Sequence, residues 1–221
     1  MTLFIQSYQG GTGTAKTTRY WDCCKPSCAW RANVGSVTAP VRTCAAGGRK
    51  TVGENEQSGC NGGNGFVCNN QRPFVKKGQA YGFATINMEG LPMNQMCCAC
   101  YKLTFTNTAI KGKNMIVQVS NTGSDLGNNH FDLQLPAGGL GIFDQGCPKQ
   151  WPKTPVSAWG ARYGGISNVN QCAALPKDLS GSPCKFRFTW FKNADNPQAN
   201  FERVPCPAAI TSISKCKRND D

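Results

Sequence analysis

The sequence predicts an all-β fold, a compact barrel carrying long loops, and three observations predict it. Short runs rich in β-branched and aromatic residues recur along the chain. Good helical periodicity is scarce. Finally, 14 cysteines, together with 25 glycines and 13 prolines scattered rather than gathered into a block, mark a loop-rich chain stapled by disulfides. At 221 residues the chain is long enough for one domain with a substantial core.

Taken in order, the stretch from Met1 to Thr17 is rich in Gly, Thr and Gln and reads as an extended or flexible lead-in. This places a lead-in at 1–16 and a single domain at 17–221. Strands are expected at Ala80–Ile86, Cys100–Thr106, Asn114–Ser120 and Lys185–Phe191. The one helix candidate is short, Ser167–Leu175, with Ser167 or Asn168 available as N-cap and Pro176 as a stop. Gly- and Asn-rich connections at 60–64, 121–129 and 136–141 are the expected functional loops. No internal repeat is evident, no Ser/Thr/Pro-rich linker leads to a second module, and residues 217–221 form a charged end.

The cysteines fall as Cys23-Cys24, Cys28, Cys97-Cys98-x-Cys100, and singly at 44, 60, 68, 147, 172, 184, 206 and 216. Structural zinc is the competing explanation, but the pattern is not that of a ribbon or finger, and the chain has a single histidine. Adjacent cysteines point to opposite sides of an extended chain, which suits cross-links better than one metal. Each bridge contributes about 2–4 kcal/mol, and an oxidising compartment follows. Spacing alone leaves the connectivity open. No secretory signal is visible in residues 1–6, no window reaches transmembrane length, and no N-x-Ser/Thr acceptor occurs, so a mature or trimmed secreted form is expected.

The formal charge is +12, densest at Lys76-Lys77 and at Lys215, Lys217 and Arg218. These points are too short for a stripe and accompany no nucleic-acid module. The expectation is a solvated surface with at most weak attraction to acidic polysaccharides, and neither nucleic acid nor membrane as partner.

Elimination narrows the chemistry. With only His130, a His-rich metal site is excluded, and any Ser-His-Asp or Cys-His arrangement would have to use that residue. His130 itself reads first as a loop-ordering hydrogen-bond partner and second as a catalyst. There is no Gly-x-Ser-x-Gly elbow and no phosphate-cradling glycine pattern. Carboxylates therefore carry most of the chemical potential, and only 12 are present. Glu54, Glu56, Glu89, Asp220 and Asp221 look like solvated surface. Asp22 sits among Tyr20, Trp21 and two cysteines, and Asp125 and Asp132 share the stretch 122–133. Paired carboxyls with neighbouring aromatics, here Tyr20, Trp21 and Trp30, are what glycoside hydrolysis requires. On the residues alone, a hydrogen-bonded structural aspartate is the commoner explanation.

More specific is the run Thr17-Thr18-Arg19-Tyr20-Trp21-Asp22 followed after five residues by Cys28. It resembles the signature of glycoside hydrolase family 45, the small secreted endoglucanases. The resemblance continues through Cys97–Tyr101, Asn129–Leu133, Gly141–Asp144, Arg162–Ser167 and Trp190–Pro197, covering the chain from Thr17 onward in order. It implies an all-β fold, a six-stranded double-psi β-barrel with long disulfide-braced loops and a few short helices, with an open groove for a β-1,4-glucan. It implies inverting hydrolysis with Asp22 as general base and Asp132 as general acid. An extracellular monomer without metal or cofactor is expected, and no carbohydrate-binding module is seen after the catalytic domain. Inverting carboxyls stand about 6.5–9.5 Å apart, and the acid's pKa is expected above that of the base. Asp125 matches a third aspartate on loop 121–129, expected to raise the acid's pKa or orient the sugar, and closure of that loop over substrate is a further expectation. Tyr20 matches a residue under the central subsites, Trp30 and Tyr163 match aromatic platforms, and Thr18 and His130 fall in the matched motifs as substrate-binding residues. The implied disulfides are Cys23 with Cys147, Cys24 with Cys60, Cys28 with Cys97, Cys44 with Cys68, Cys98 with Cys216, Cys100 with Cys206 and Cys172 with Cys184.

A rival class is the non-hydrolytic, expansin-like wall-loosening or carbohydrate-binding protein, which shares the barrel and the His-Phe-Asp motif but lacks the base. Asp22 within its full motif favours the enzyme. Two features depart from the family pattern, the longer lead-in and an expanded segment 148–161 with Trp151 and Trp159. The second borders Tyr163 and bears on subsite preference.

Overall fold

In the computed structural model, residues 11–221 are described. Six strands form the barrel: β1 (Thr12–Tyr20), β2 (Gln79–Asn87), β3 (Cys100–Phe105), β4 (Asn114–Thr122), β5 (His130–Gln134) and β6 (Gln198–Val204). They hydrogen-bond in the order β2-β4-β3-β6-β1-β5, and an antiparallel pairing of β5 with β2 closes the ring. Closure leaves no barrel edge open to pairing with another chain. Two contacts are parallel, β1 with β5 and β2 with β4, and the other pairings are antiparallel. A further strand, Phe74–Lys76, turns back onto β2. Its two-residue turn, Lys77-Gly78, has positive φ at both positions, the geometry whose twist matches a hairpin. Lys76 and Lys77 are accordingly exposed.

Alternation along the strands sorts the side chains. Ala15 and Thr17 of β1 and Phe131 and Leu133 of β5 are buried, and Phe131 packs edge-on to Tyr101 at 5.4 Å and beside Phe201 at 5.4 Å between ring centroids. The intervening residues Thr18, His130 and Asp132 fall on the other face and are only partly buried. A second apolar cluster lies outside the barrel, where Trp21 and Cys23 pack with Val67, Leu140, Cys147 and Trp159. Segment 148–161 is thus not a loose insertion, because Trp159 is fully buried in this cluster and Trp151 packs against it.

Seven disulfides brace the loops, pairing Cys23–Cys147, Cys24–Cys60, Cys28–Cys97, Cys44–Cys68, Cys98–Cys216, Cys100–Cys206 and Cys172–Cys184. No helix among the described residues is long and apolar enough to cross a membrane.

Several expectations change. The run Lys185–Phe191 alternates like a strand but lies largely in the helix Ser182–Phe188. Pro183 in the first helical turn and the burial of Cys184 and Arg187, three residues apart, favour the helix over β-propensity. Residues 12–16, expected in the lead-in, belong to β1, and residues 1–10 lie outside the described part of the chain. The helix candidate near 167–175 is a 3₁₀ helix, Val169–Ala174, with Asn168 and Gln171 forming a capping box.

Candidate active site

The parallel register of β1 and β5 sets Lys16 beside His130 and Thr18 beside Asp132. The Thr18 hydroxyl donates to Asp132 Oδ1 at 2.6 Å and lies 2.8 Å from His130 Nε2. Two residues further along the same face is Tyr20, whose buried hydroxyl accepts from Thr85 Oγ1 at 2.7 Å. Asn121 Nδ2 donates to Thr85 Oγ1 at 3.1 Å, while Asn121 Oδ1 accepts from Ser27 N–H at 2.8 Å.

Asp22 follows just past the end of β1. The chain there is fixed on both sides: Trp21 N–H donates to Gly139 O, and Cys23 and Cys24 are bridged to Cys147 and Cys60. Cys24 N–H donates to Asp22 Oδ1 at 3.0 Å. Gly146 makes the close packing possible, since a Cβ there would sit 2.2 Å from Asp22 O and 2.6 Å from Cys60 Sγ.

A cleft of about 430 Å³ opens over this face. Thr18, Tyr20, Asp125, His130, Asp132 and Tyr163 line it, and Asp22 and Trp30 do not. Asp125 is exposed on the loop after β4. That loop is tied to the end of β2, where Asn87 Nδ2 donates to Leu126 O at 2.7 Å and Glu89 N–H to Asn128 Oδ1 at 2.9 Å. A larger cleft, about 630 Å³, lies elsewhere, against Phe74, Arg72, Phe186 and Trp190, and contains no carboxylate. Among the described residues no three His, Cys, Asp or Glu side chains converge as a metal site would require.

Burial holds both carboxyls above the usual range. Asp22 is pushed up to about 7, first by burial and then by the charge of Asp132, against the opposing hydrogen bond from Cys24 N–H. Asp132 is pushed up to about 6 by burial and by Asp125, while the Thr18 hydroxyl and the Arg19 guanidinium favour its charged form. Asp132 has a hydroxyl donor and a cation that Asp22 lacks, and both favour its charged form. Burial, with Lys16 nearby, lowers His130, and Asp125 opposes this. Tyr20 is raised by burial and by both Asp22 and Asp132, so its phenol feels both charges.

Against known proteins, a sequence model described as glycosyl hydrolase family 45 matches residues 14–217. The chain belongs to glycosyl hydrolase family 45. Among its family 45 relatives, an endoglucanase of Cryptopygus antarcticus is 56% identical over 207 residues, covering 94% of this chain and 90% of that protein. An endoglucanase of Phaedon cochleariae is 47% identical over 210 residues, covering 94% and 85%. The crystal structure of a cellulase from the Antarctic springtail Cryptopygus antarcticus superposes with a TM-score of 0.90 at 56% identity, covering 95% of this chain and 99% of that one.

Within this family 45 chain, the two aromatic candidates differ. Tyr163 is 68% exposed, with Arg162 reaching over its ring at 5.6 Å. Trp30 is half-buried, and the Lys25 ammonium lies 3.3 Å from its ring centroid while donating to Glu54 O and Glu56 O. One face of Trp30 is therefore already used. Sequence reasoning quoted Arg19, Arg162 and Asp195 within motifs but assigned them nothing. All three line the cleft, and Arg19 pairs with Asp195 at 2.8 Å. Arg187 went unnoticed inside the supposed strand. Buried, it donates to Ala137 O, to Gly164 O at 2.7 Å and to Asn193 Oδ1 at 3.0 Å, tying down three loops behind Tyr163. A basic residue amid Phe186 and Phe188 was the available signal.

Proposed function

We propose that this chain is a secreted endoglucanase that hydrolyses internal β-1,4-glucosidic bonds with inversion. The observation that carries the reading is the pair Asp22 and Asp132, held by burial at about 7 and about 6, with Asp132 lining an open cleft and its charge felt by Asp22. Such a pair retains a proton near neutral pH, where ordinary carboxyls have lost theirs.

Asp132 donates its proton to the leaving glucosidic oxygen as the C1–O bond breaks. Asp22 takes a proton from the water whose oxygen bonds to C1 from the opposite face, and the product is the α-anomer. This assignment requires Asp132 to carry a proton when glucan is bound. Asp132 lines the cleft, so a sugar filling the cleft strips water from it and raises it further. Asp125 assists by placing negative charge near Asp132. Tyr163 and Trp30 stack on pyranose rings, and Tyr20 supports the sugar from below.

The test is release of reducing ends from mixed-linkage β-glucan by the wild type, Asp22→Ala and Asp132→Asn, with the product anomer followed by NMR. Loss of activity in both variants and an α-product are expected. Full activity in Asp22→Ala rejects the base, a β-product rejects inversion, and binding without hydrolysis by the wild type favours the expansin-like alternative.

A further inference from the structure

Thr18 has one hydroxyl proton and two partners. Its Oγ1 is 2.6 Å from Asp132 Oδ1 and 2.8 Å from His130 Nε2, so it cannot donate to both. With Asp132 ionised, the carboxylate can only accept, and the Thr18 proton must point to it. The other contact then requires His130 to donate from Nε2 into a Thr18 lone pair. For the ionised carboxylate, counting protons gives the order His130 Nε2–H to Thr18 Oγ1–H to Asp132 Oδ1, and it is built on the strand register, since Thr18 pairs with Asp132 and Lys16 with His130 across β1 and β5.

We infer that His130 and Thr18 are positioning residues for the general acid rather than sugar-binding residues. Together they reserve Oδ1 of Asp132 as an acceptor, so that the acidic proton is carried on Oδ2 and stays available to the leaving oxygen. This rests on the reading of Asp132 as the acid. Were the chain free to run the other way, with Asp132 O–H donating to Thr18 and Thr18 to His130, the proton would be held in the wall of the barrel. A neutral His130 with its proton on Nε2 blocks that reversal. The arrangement matches the logic of a catalytic triad, in which the remote member acts by setting the direction of the donor next to the reacting group.

The charged groups around the chain are few. Lys16 and Asp125 face His130, Asp125 and Arg19 act on Asp132, and Asp132 in turn acts on Asp22. Lys16 and burial both disfavour a charged imidazole, so His130 is neutral at neutral pH and its tautomer is a well-defined observable.

Because the chain has a single histidine, a long-range ¹H–¹⁵N spectrum of ¹⁵N-labelled wild-type protein reports its tautomer without assignment. The Nε2–H form is expected, and a predominant Nδ1–H form overturns the proposal. The second arm is the pH profile of kcat. Thr18→Val removes a donor that favours charged Asp132, so the descending limb should move up by about one pH unit and kcat should fall about tenfold. Thr18→Ser should restore the wild-type limb. His130→Gln, which keeps an N–H near the Nε2 position, should lie closer to the wild type than His130→Leu. An unmoved limb in Thr18→Val, or equal damage from Gln and Leu at 130, overturns the proposal. Failure of the acid reading is separable, because full activity in Asp132→Asn rejects that reading and leaves the tautomer result standing.

Discussion

Thr18 and Asp132 face one another across the parallel pairing of β1 and β5, joined by a 2.6 Å hydrogen bond from the threonine hydroxyl to the carboxylate. That bond spans 114 residues of sequence and makes the barrel itself part of the site. Residues on a closed sheet shift little relative to one another, so groups placed this way are held more tightly than groups on loops.

Asp22 should weaken the fold as pH rises. Its folded pKa, about 7, lies above the ordinary 3.8, so the native state binds the proton more tightly than the unfolded chain. The stabilising contribution is complete below the unfolded value and is lost as pH rises through the folded one. Asp22→Asn should therefore be more stable than wild type at pH 8, by on the order of 2–4 kcal/mol, with the gap closing toward about pH 4. Guanidinium unfolding of the oxidised protein across this range measures it.

Gly146→Ala tests the backbone behind Asp22. The new Cβ would meet Asp22 O at 2.2 Å and Cys60 Sγ at 2.6 Å, neither of them a flexible side-chain end. Stability should fall by about 1–3 kcal/mol, and kcat on β-glucan should fall at least tenfold. Gly181→Ala, where nothing lies within 4 Å, is the control and should do neither.

Arg187→Met should be costly although the residue touches neither carboxylate. It strands the carbonyls of Ala137 and Gly164, and the loss should be about 3 kcal/mol or more. Arg187→Lys should recover little, because one ammonium cannot reach three loops in the fixed fork of a guanidinium. Thermal melts give the stability, and KM for soluble glucan reports the loosened Tyr163 loop.

Trp30→Ala should raise KM about tenfold with kcat nearly unchanged, the signature of binding lost equally from ground and transition states. Lys25→Met should produce a smaller KM effect of the same sign, since it removes the cation that holds the Trp30 ring from one side at 3.3 Å. Steady-state kinetics on cello-oligosaccharides separate the two constants.

Three barrel strands were legible from composition because Ala80–Ile86, Cys100–Thr106 and Asn114–Ser120 are β-branched and aromatic runs, and they form β2, β3 and β4 within two residues at each end. β1 and β6 were not. Thr12–Tyr20 carries Gly, Thr and Lys in its first half, and Gln198–Val204 alternates exposed and buried residues that only the closed sheet explains. Lys185–Phe191 misled for the opposite reason, since β-propensity gave way to Pro183 and to packing that sends Phe186 and Phe191 to the barrel core and Phe188 to the second apolar cluster.

By itself the sequence determined the chemical repertoire and the family: a disulfide-braced β protein, a single histidine, and Asp22, Asp125 and Asp132 in motif context. Those motifs are legible in one dimension because each lies in a short continuous segment, the end of β1 or the stretch from loop 121–129 into β5. What the tertiary structure decided is relational. It placed Thr18 against both Asp132 and His130, put Asp132 on the cleft and Asp22 outside its lining, and buried both carboxyls so that each is raised well above the ordinary range. Such properties depend on desolvation and on distances between groups far apart in the chain, which only closure of the barrel brings together.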